Sequence, residues 1–154
     1  MKDNSINKIA SFEVDHDKIG VGIYVSRIDG DITTYDLRTR VPNSEDYLDD
    51  VTMHSVEHML ATYLRNSAIG ENVIYFGPMG CRTGFYLLTR NLSNETVLNE
   101  LKLALQKTID HQGEIFGGTK IECGNYKCLS LESAKIECKK YLDALNQKTQ
   151  TFTY

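Results

Sequence analysis

The sequence predicts one two-layer α+β domain, residues 1–154, in which helices pack on one face of an antiparallel β-sheet. Three observations support this fold class. Apolar residues alternate along several short segments, which is the period of a half-buried strand. They recur every three or four residues along three longer segments, which is the period of an amphipathic helix. The 154 residues match the length of one ordinary domain and contain no repeat, low-complexity tract or linker.

A β-hairpin is predicted in the first third of the chain. Two alternating segments flank a glycine-containing turn, and their residues are Val21, Ile23 and Val25, then Asp29-Gly30-Asp31, then Thr33, Tyr35 and Leu37. A short turn with glycine between alternating segments is typical of a hairpin. Pro42 then ends the second strand, and an acidic stretch over residues 45–50 leads into the first helix.

The first helix is predicted to begin near Asp50 or Thr52, either of which can cap it, and to end near Gly70. Its apolar stripe consists of Met53, Val56, Leu60, Tyr63 and Leu64. A strand, a tight loop and another strand follow over residues 73–88, because the turn-rich residues 77–84 separate two apolar runs.

Two further helices are predicted in the second half of the chain. The first follows Ser93 and carries Val97, Leu101, Leu105 and Ile109 on one face. The other is capped by Ser130 and carries Leu131, Ala134, Cys138, Tyr141, Leu142 and Leu145. Residues 111–126 between these helices contain several glycines and are predicted to be irregular.

Composition excludes several classes of protein. Hydrophobic residues at 41% and charged residues at 25% are typical of a globular protein, and the net charge of -4 gives no basic surface for nucleic acid. No apolar run reaches the roughly 18 residues of a membrane span. Residues 1–17 lack the apolar core of a secretory signal, so we expect a cytoplasmic protein with reduced cysteines.

The pattern H-x-x-E-H at residues 54–58 predicts a metal site on the first helix. His54 and His58 are one turn apart, so both imidazoles face the same side. With Met53 at zero, they fall at about 100° and 140°, and Arg65 at about 120°. Glu57 falls at about 40°, between the two histidines and the apolar stripe. This helix edge therefore suits a metal and a small anionic or zwitterionic substrate.

The third metal ligand remains open at this point. Cys123, in the irregular segment, is the best candidate because a metal readily deprotonates a thiol. If Cys128 also bound, four protein ligands would make a closed structural zinc site in a non-catalytic module. If Glu122 replaced Cys123, the site would instead suit a metallopeptidase in which Glu57 activates water.

Cys81 is predicted to take part in proton transfer. It lies in the Gly-Cys-Arg-Thr-Gly loop at residues 80–84, where backbone N–H groups and Arg82 would favour its thiolate. Together with Glu57 it would provide two groups able to exchange protons with a substrate. Cys138, in contrast, lies on an apolar helix face and is expected to be a core residue.

Five motifs in this order resemble the S-ribosylhomocysteine lyase (LuxS) family. They are SFEVDH at 11–16, DLR at 36–38, HSVEH at 54–58, PMGCRTGFY at 78–86 and ECGNY at 122–126. The resemblance implies cleavage of the thioether of S-ribosylhomocysteine to homocysteine and 4,5-dihydroxy-2,3-pentanedione, the precursor of a quorum-sensing autoinducer. The reaction proceeds by metal-assisted carbonyl migration and β-elimination.

The resemblance also implies roles for individual residues. The metal, one divalent ion per subunit and usually Fe(II), with zinc or cobalt as replacements, would be bound by His54, His58 and Cys123. Proton transfer and its support would come from Cys81, Glu57 and Arg38, and substrate binding from Ser11, His16 and Arg65. Family members are homodimers whose active sites lie at the interface. One departure is Tyr75, which stands where the family usually has an Asp that helps recognise the homocysteine end.

Overall fold

The computed structural model describes residues 5–154, so residues 1–4 of the predicted domain lie outside the described residues. The elements in chain order are α1 (Ala10–Glu13), β1 (Gly22–Asp29), β2 (Ile32–Arg38), α2 (Asp50–Arg65), a 3-10 turn (Gly70–Asn72), β3 (Val73–Pro78), β4 (Gly84–Arg90), α3 (Asn94–Ile109) and α4 (Leu131–Gln147). None of the helices described here combines the length and apolar character that crossing a membrane requires.

Four antiparallel strands form one sheet in the order β1-β2-β4-β3. The predicted hairpin is confirmed, and Gly30 supplies the left-handed conformation of its turn with φ 61°. The predicted strand-loop-strand is also confirmed, because β3 pairs with β4 around the loop at residues 79–83. That loop carries Cys81 at one end of the sheet.

Helices α2, α3 and α4 pack on one face of this sheet. Tyr35 and Leu37 of β2 point into the shared core and are 0% and 1% exposed. Successive side chains of a strand point to opposite faces, so Asp36 and Arg38 of the same strand lie on the face away from these helices. The predicted two-layer α+β fold is confirmed.

Helix α2 begins close to the predicted position but ends earlier. Its cap is Asp49, whose carboxylate accepts a hydrogen bond from the backbone N–H of Thr52 at 2.7 Å, rather than Asp50 or Thr52 itself. Its last residue is Arg65, so the predicted end at Gly70 is wrong. The chain folds back there, and a Cβ on Gly70 would collide with the carbonyl oxygen of Arg65.

Helices α3 and α4 agree with the prediction. Their caps are Ser93 and Ser130, whose hydroxyls accept hydrogen bonds from backbone N–H groups of the first turn. Cys138 is 1% exposed and belongs to the core, as predicted. The backbone N–H of Ser130 also donates to the hydroxyl of buried Ser55 at 2.8 Å, which fixes the start of α4 against α2.

Two short features were not predicted. Residues 10–13 form the single helical turn α1. Residues 148–154 return beside the outer edge of β1, where the N–H of Val25 donates to the carbonyl oxygen of Phe152 at 2.8 Å. The Phe152 side chain is buried in the main core. The edge strand of the sheet is therefore partly covered by this segment.

Candidate metal centre and active site

His54, His58 and Cys123 form a group that could hold a metal ion. One ligand atom from each residue can be chosen so that all three lie within 4.8 Å of one another. The two histidines are one turn apart on α2, and Cys123 lies in the irregular segment between α3 and α4. All three are partly buried. The structure thus brings together the three residues predicted as ligands.

Each imidazole is oriented by a backbone carbonyl. The Nδ1 of His54 lies 2.8 Å from the carbonyl oxygen of Cys128, and the Nδ1 of His58 lies 2.8 Å from that of Phe116. A carbonyl oxygen can only accept, so each Nδ1 carries the proton and each Nε2 keeps its lone pair. This arrangement is typical of metal-binding histidines. The Nε2 of His54 lies 3.4 Å from the Sγ of Cys123.

A glycine permits the close approach of the loop to His58. Gly117 has φ +65°, and a Cβ at this position would lie 2.9 Å from the Nδ1 of His58. Both the backbone conformation and the space therefore favour glycine. This is how the preceding carbonyl, that of Phe116, reaches the imidazole.

A small polar and aromatic cluster holds the start of the same loop. The Oη of Tyr63 lies 2.6 Å from the Nδ1 of His111, whose Nε2 lies 2.7 Å from the carbonyl oxygen of Glu114. The Phe116 ring packs edge-on against both aromatic rings, with centroids 5.0 Å from Tyr63 and 4.7 Å from His111. Helix α2 thus provides His58 and, through Tyr63, an anchor for the loop that orients this imidazole.

Neither Glu122, the alternative third ligand, nor Cys128, the possible fourth ligand, belongs to the metal-binding group found among residues 5–154. The carboxylate of Glu122 accepts a hydrogen bond from the hydroxyl of Thr119 at 2.6 Å. Cys128 contributes its carbonyl oxygen to His54, and its thiol is not part of any metal-binding group found among residues 5–154. Two imidazoles and one cysteine sulfur form a donor set that would suit a divalent transition metal and would leave room for water or substrate as a further ligand.

A surface groove of about 380 Å³ runs beside the metal centre. Its lining includes Glu57, His58, Arg65 and Tyr75. The Arg65 guanidinium donates to the carbonyl oxygen of Ile74 at 3.1 Å, which holds this cation against β3 at the groove wall. A carboxylate and a guanidinium therefore line the same groove as His58, one of the three candidate metal ligands.

A second polar group surrounds Cys81. Its Sγ lies 3.0 Å from the hydroxyl of Thr83 and 4.0 Å from the Nη1 of Arg38. Arg38 is 2% exposed and forms an ion pair with buried Asp36, with Nη2 2.5 Å from Oδ2. The expected partner Arg82 does not serve Cys81, because its guanidinium pairs with Asp50 at 3.1 Å. The cation next to the thiol is Arg38.

The predicted substrate-binding residues of the first segment lie in two places. The hydroxyl of Ser11 is hydrogen-bonded to Tyr86. Burial raises the pKa of Tyr86, and the nearby negative charge of Asp36 adds a smaller increase. Ser11 therefore adjoins the Cys81 group. The Nδ1 of His16 lies 2.8 Å from the carbonyl oxygen of Val14. Among the hydrogen bonds found within residues 5–154, none joins His16 to either polar group.

The metal centre and the Cys81 group lie on different sides of the molecule. The metal centre belongs to α2 and its loop, in the helical layer. Asp36, Arg38 and Tyr86 alternate with core residues along β2 and β4, so they lie on the opposite face of the sheet. Within the described part of the chain, no hydrogen bond or ion pair connects the two groups.

A family model described as S-ribosylhomocysteinase (LuxS) matches residues 9–152. The chain belongs to the LuxS family. It is 44% identical over 146 residues to the S-ribosylhomocysteine lyase of Finegoldia magna, an alignment that covers 92% of this chain and 93% of the relative. The corresponding protein of Borreliella afzelii is 42% identical, covering 92% and 94%. That of Desulfotalea psychrophila is 40% identical, covering 96% and 99%.

Sequence reasoning missed several residues around the two LuxS motifs that carry Arg38 and Cys81. Asp36 and Thr83 fix the guanidinium, and Tyr154 donates to Asp36 at 2.8 Å. The alternation of β2 would have placed Asp36 on the same face as Arg38. The contribution of Tyr154 left no signal in the sequence, because its partner Asp36 is 118 residues away.

Proposed function

We propose that this chain is an S-ribosylhomocysteine lyase, a metal-dependent enzyme that cleaves a carbon–sulfur bond. Its products would be homocysteine and 4,5-dihydroxy-2,3-pentanedione. The observation that carries the proposal is the group of His54, His58 and Cys123, with both Nδ1 atoms bound to carbonyl oxygens, in a chain that matches this family over residues 9–152. A peptidase would call for Glu122 as ligand, and a structural zinc module for Cys128, and neither belongs to the group.

His54, His58 and Cys123 would hold one divalent metal per subunit, for which we propose Fe(II), with zinc or cobalt as substitutes. When bound, the metal supplies a Lewis acid that polarises the carbonyl and hydroxyl oxygens of the sugar. The carbonyl oxygens of Cys128 and Phe116 keep both imidazoles in the tautomer that can bind it. The protein thus contributes orientation and an open coordination position.

Glu57 and Arg65 would act from the groove beside the metal centre. Glu57 is suited to move protons between carbons and oxygens of the ribose, because it lines the groove next to His58. Arg65 would bind an anionic part of the substrate, and its position against β3 limits its movement. Substrate recognition and proton transfer would therefore share one surface.

Cys81 would exchange the remaining protons, with Arg38 as its cationic neighbour. In the final step a base would remove the proton from the carbon next to the sugar carbonyl, the carbon–sulfur bond would break, and the homocysteine thiolate would take up a proton as it leaves. The overall reaction involves no net oxidation or reduction. Ser11 and His16 would help to hold the substrate, and Ser11 already contacts Tyr86 beside the Cys81 group.

We further infer that the active site is completed by a second copy of this chain. The metal centre and the Cys81 group lie on different sides of the molecule, so one substrate could reach both if they met across a homodimer interface. Each of the two sites would then take its metal ligands from one subunit and Cys81 from the other. We place this dimer, with residues 1–154 acting as one domain, in the cytoplasm, where it would supply the precursor of a quorum-sensing autoinducer.

Thiol release from S-ribosylhomocysteine tests the activity. Protein loaded anaerobically with Fe(II) is expected to release one equivalent of thiol, followed with Ellman's reagent, and metal-free protein to release none. Glu57→Gln should keep the metal and lose about 100-fold in kcat, since it removes a proton-transfer group. If loaded wild-type protein released no thiol, the proposed activity would be wrong.

Mixing two inactive variants tests the shared site. Cys81→Ala and Cys123→Ala are each expected to be inactive alone. After subunit exchange, half of the dimers should be mixed and carry one intact site of two, restoring about a quarter of wild-type activity. Absence of any recovery, with exchange verified by mass, would mean that each site draws both groups from one chain.

A further inference from the structure

The segment that follows α4 reaches the buried ion pair beside Cys81. Its course is fixed along β1, where the N–H of Ile23 donates to the Oε1 of Gln150 at 3.2 Å and the N–H of Val25 donates to the carbonyl oxygen of Phe152 at 2.8 Å. The Phe152 side chain is only 7% exposed. Residues 150–152 are therefore anchored by both hydrogen bonds and burial.

Tyr154 lies at the end of this anchored segment, on the sheet face away from the three main helices. Its ring stacks on that of Tyr24, with centroids 5.0 Å apart and planes inclined by 14°. Its hydroxyl lies 2.8 Å from the Oδ2 of Asp36. Burial, followed by the negative charge of Asp36, raises the pKa of Tyr154 above its usual value. The phenol therefore stays protonated and donates a hydrogen bond to the carboxylate.

Three further polar contacts connect Asp36 to the thiol of Cys81. Its Oδ2 accepts from the Nη2 of Arg38 at 2.5 Å, and the Nη1 of Arg38 donates to the hydroxyl of Thr83 at 2.7 Å. The same hydroxyl lies 3.0 Å from the Sγ of Cys81. A continuous polar chain thus runs from Tyr154 to Cys81, and its two charged members are 1% and 2% exposed.

The Asp36–Arg38 ion pair could adopt a second geometry, which the hydrogen bond from Tyr154 would oppose. Among residues 5–154, the Oδ1 of Asp36 and the Nε of Arg38 are buried without a hydrogen-bond partner. If the carboxylate turned, it could bind Nε and Nη2 together, which is the bidentate arrangement that guanidinium and carboxylate favour. We expect such a turn to shift the guanidinium relative to Thr83 and Cys81. The hydroxyl of Tyr154 holds Oδ2 in its present direction.

We propose that Tyr154 is a positioning residue for this active site, acting through Asp36 to hold Arg38 against Thr83 and Cys81. The inference rests on the proposed function, in which Arg38 supports proton transfer by Cys81. Since the hydroxyl contacts neither the groove nor the metal ligands, it should affect the rate of the reaction and the reactivity of the thiol, and leave substrate binding unchanged.

Tyr154→Phe tests this role, because it keeps the ring that stacks on Tyr24 and removes only the hydroxyl. In metal-loaded protein we expect kcat for thiol release to fall about tenfold with KM within twofold, as for the loss of one hydrogen bond to a buried charge. The rate at which iodoacetamide alkylates Cys81, read by mass spectrometry of the Cys81 peptide, should fall by a similar factor. Tyr24→Phe is the matched control, since that hydroxyl donates to the carbonyl oxygen of Gly20. It should leave both rates unchanged.

The two measurements separate the inference from the proposed activity. If wild-type protein releases no thiol, the lyase proposal fails, and slower alkylation in Tyr154→Phe alone would still support the positioning role. If wild-type protein is active and Tyr154→Phe matches it in kcat and in alkylation rate, the inference is overturned. It is also overturned if Tyr154→Phe and Tyr24→Phe lower kcat, alkylation rate and melting temperature equally, since the effect would then be structural.

Discussion

The Sγ of Cys123 lies 3.4 Å from the Nε2 of His54, although 69 residues separate them along the chain. The metal centre therefore depends on how the irregular segment after α3 folds against α2. Two histidines on one helix turn fix only one edge of the site. The third residue of the group, Cys123, reaches the two histidines only through the tertiary fold.

Cys123→Ala is expected to abolish stoichiometric metal binding, while Cys81→Ala keeps it. Removing one of three protein ligands should weaken binding by about 100-fold or more, since even residues that only orient ligands contribute 10- to 100-fold. Competition with a chromogenic chelator measures the affinity of both variants. A Cys123→Ala protein that retained one metal per chain would show that another residue is the third ligand.

Gly117→Ala is expected to weaken metal binding without touching a ligand. The residue has φ +65°, and its new Cβ would lie 2.9 Å from the Nδ1 of His58. The strained backbone alone should lower the free energy of unfolding by about 1–2 kcal/mol. The displaced carbonyl of Phe116 should weaken metal binding about tenfold. Gly113→Ala is the control, because it also has positive φ but nothing lies within 4 Å of its Cβ. Equal metal affinity in the two variants would contradict the role of Gly117.

Tyr63→Phe should loosen the loop that orients His58. The substitution removes the hydroxyl 2.6 Å from the Nδ1 of His111 and leaves the ring packed on Phe116. We expect about 1 kcal/mol lower stability in urea unfolding and faster release of metal to a chelator. The half-exposed Tyr47 provides the matched control Tyr47→Phe, with no change in either measurement. Unaltered metal release in Tyr63→Phe would mean that the loop holds its position without this bond.

Periodicity predicted the helices and strands because burial of one face dominates their energetics. The end of α2 was predicted five residues too late from the glycine at position 70, whereas the helix stops at Arg65 and the chain folds back at Gly70. Side-chain spacing on α2 also predicted which helix edge carries His54 and His58. It could not choose between Cys123 and Glu122, because an irregular segment has no period from which direction can be read. Periodicity also gave no indication of the contacts that Thr83 and Tyr154 make with Arg38 and Asp36, because both partners come from distant parts of the chain.

Alkaline pH should destabilise the fold partly through Cys138. Burial, with a smaller contribution from the charge of Glu137, raises the pKa of its thiol from 9.0 to about 12. Below pH 9 the folded and unfolded states both carry the proton, so the free energy of unfolding does not depend on this group. Between these values the unfolded chain loses the proton while the folded one keeps it, and stability falls by up to about 1.4 kcal/mol per pH unit.

The variant Cys138→Ala isolates this contribution. It lowers stability at pH 8 through the cavity that it leaves, but its stability should decline less steeply than that of the wild type from pH 9 to pH 11. Urea unfolding at each pH gives both slopes. The nearby phenols, including buried Tyr141, titrate in both proteins and cancel in the difference. Parallel slopes would show that Cys138 titrates normally in the folded state.

We expect Tyr75 to affect how the amino group of the substrate is held. The side chain is 50% exposed and lines the groove with Glu57 and Arg65, at the position where the family usually has an Asp. Because a phenol attracts an ammonium group less strongly than a carboxylate does, Tyr75→Asp should lower KM for S-ribosylhomocysteine several-fold and change kcat less. Asn has nearly the same shape as Asp but carries no charge, so Tyr75→Asn should not lower KM. Should both variants raise KM equally, the Tyr75 ring itself would be part of the substrate-binding surface.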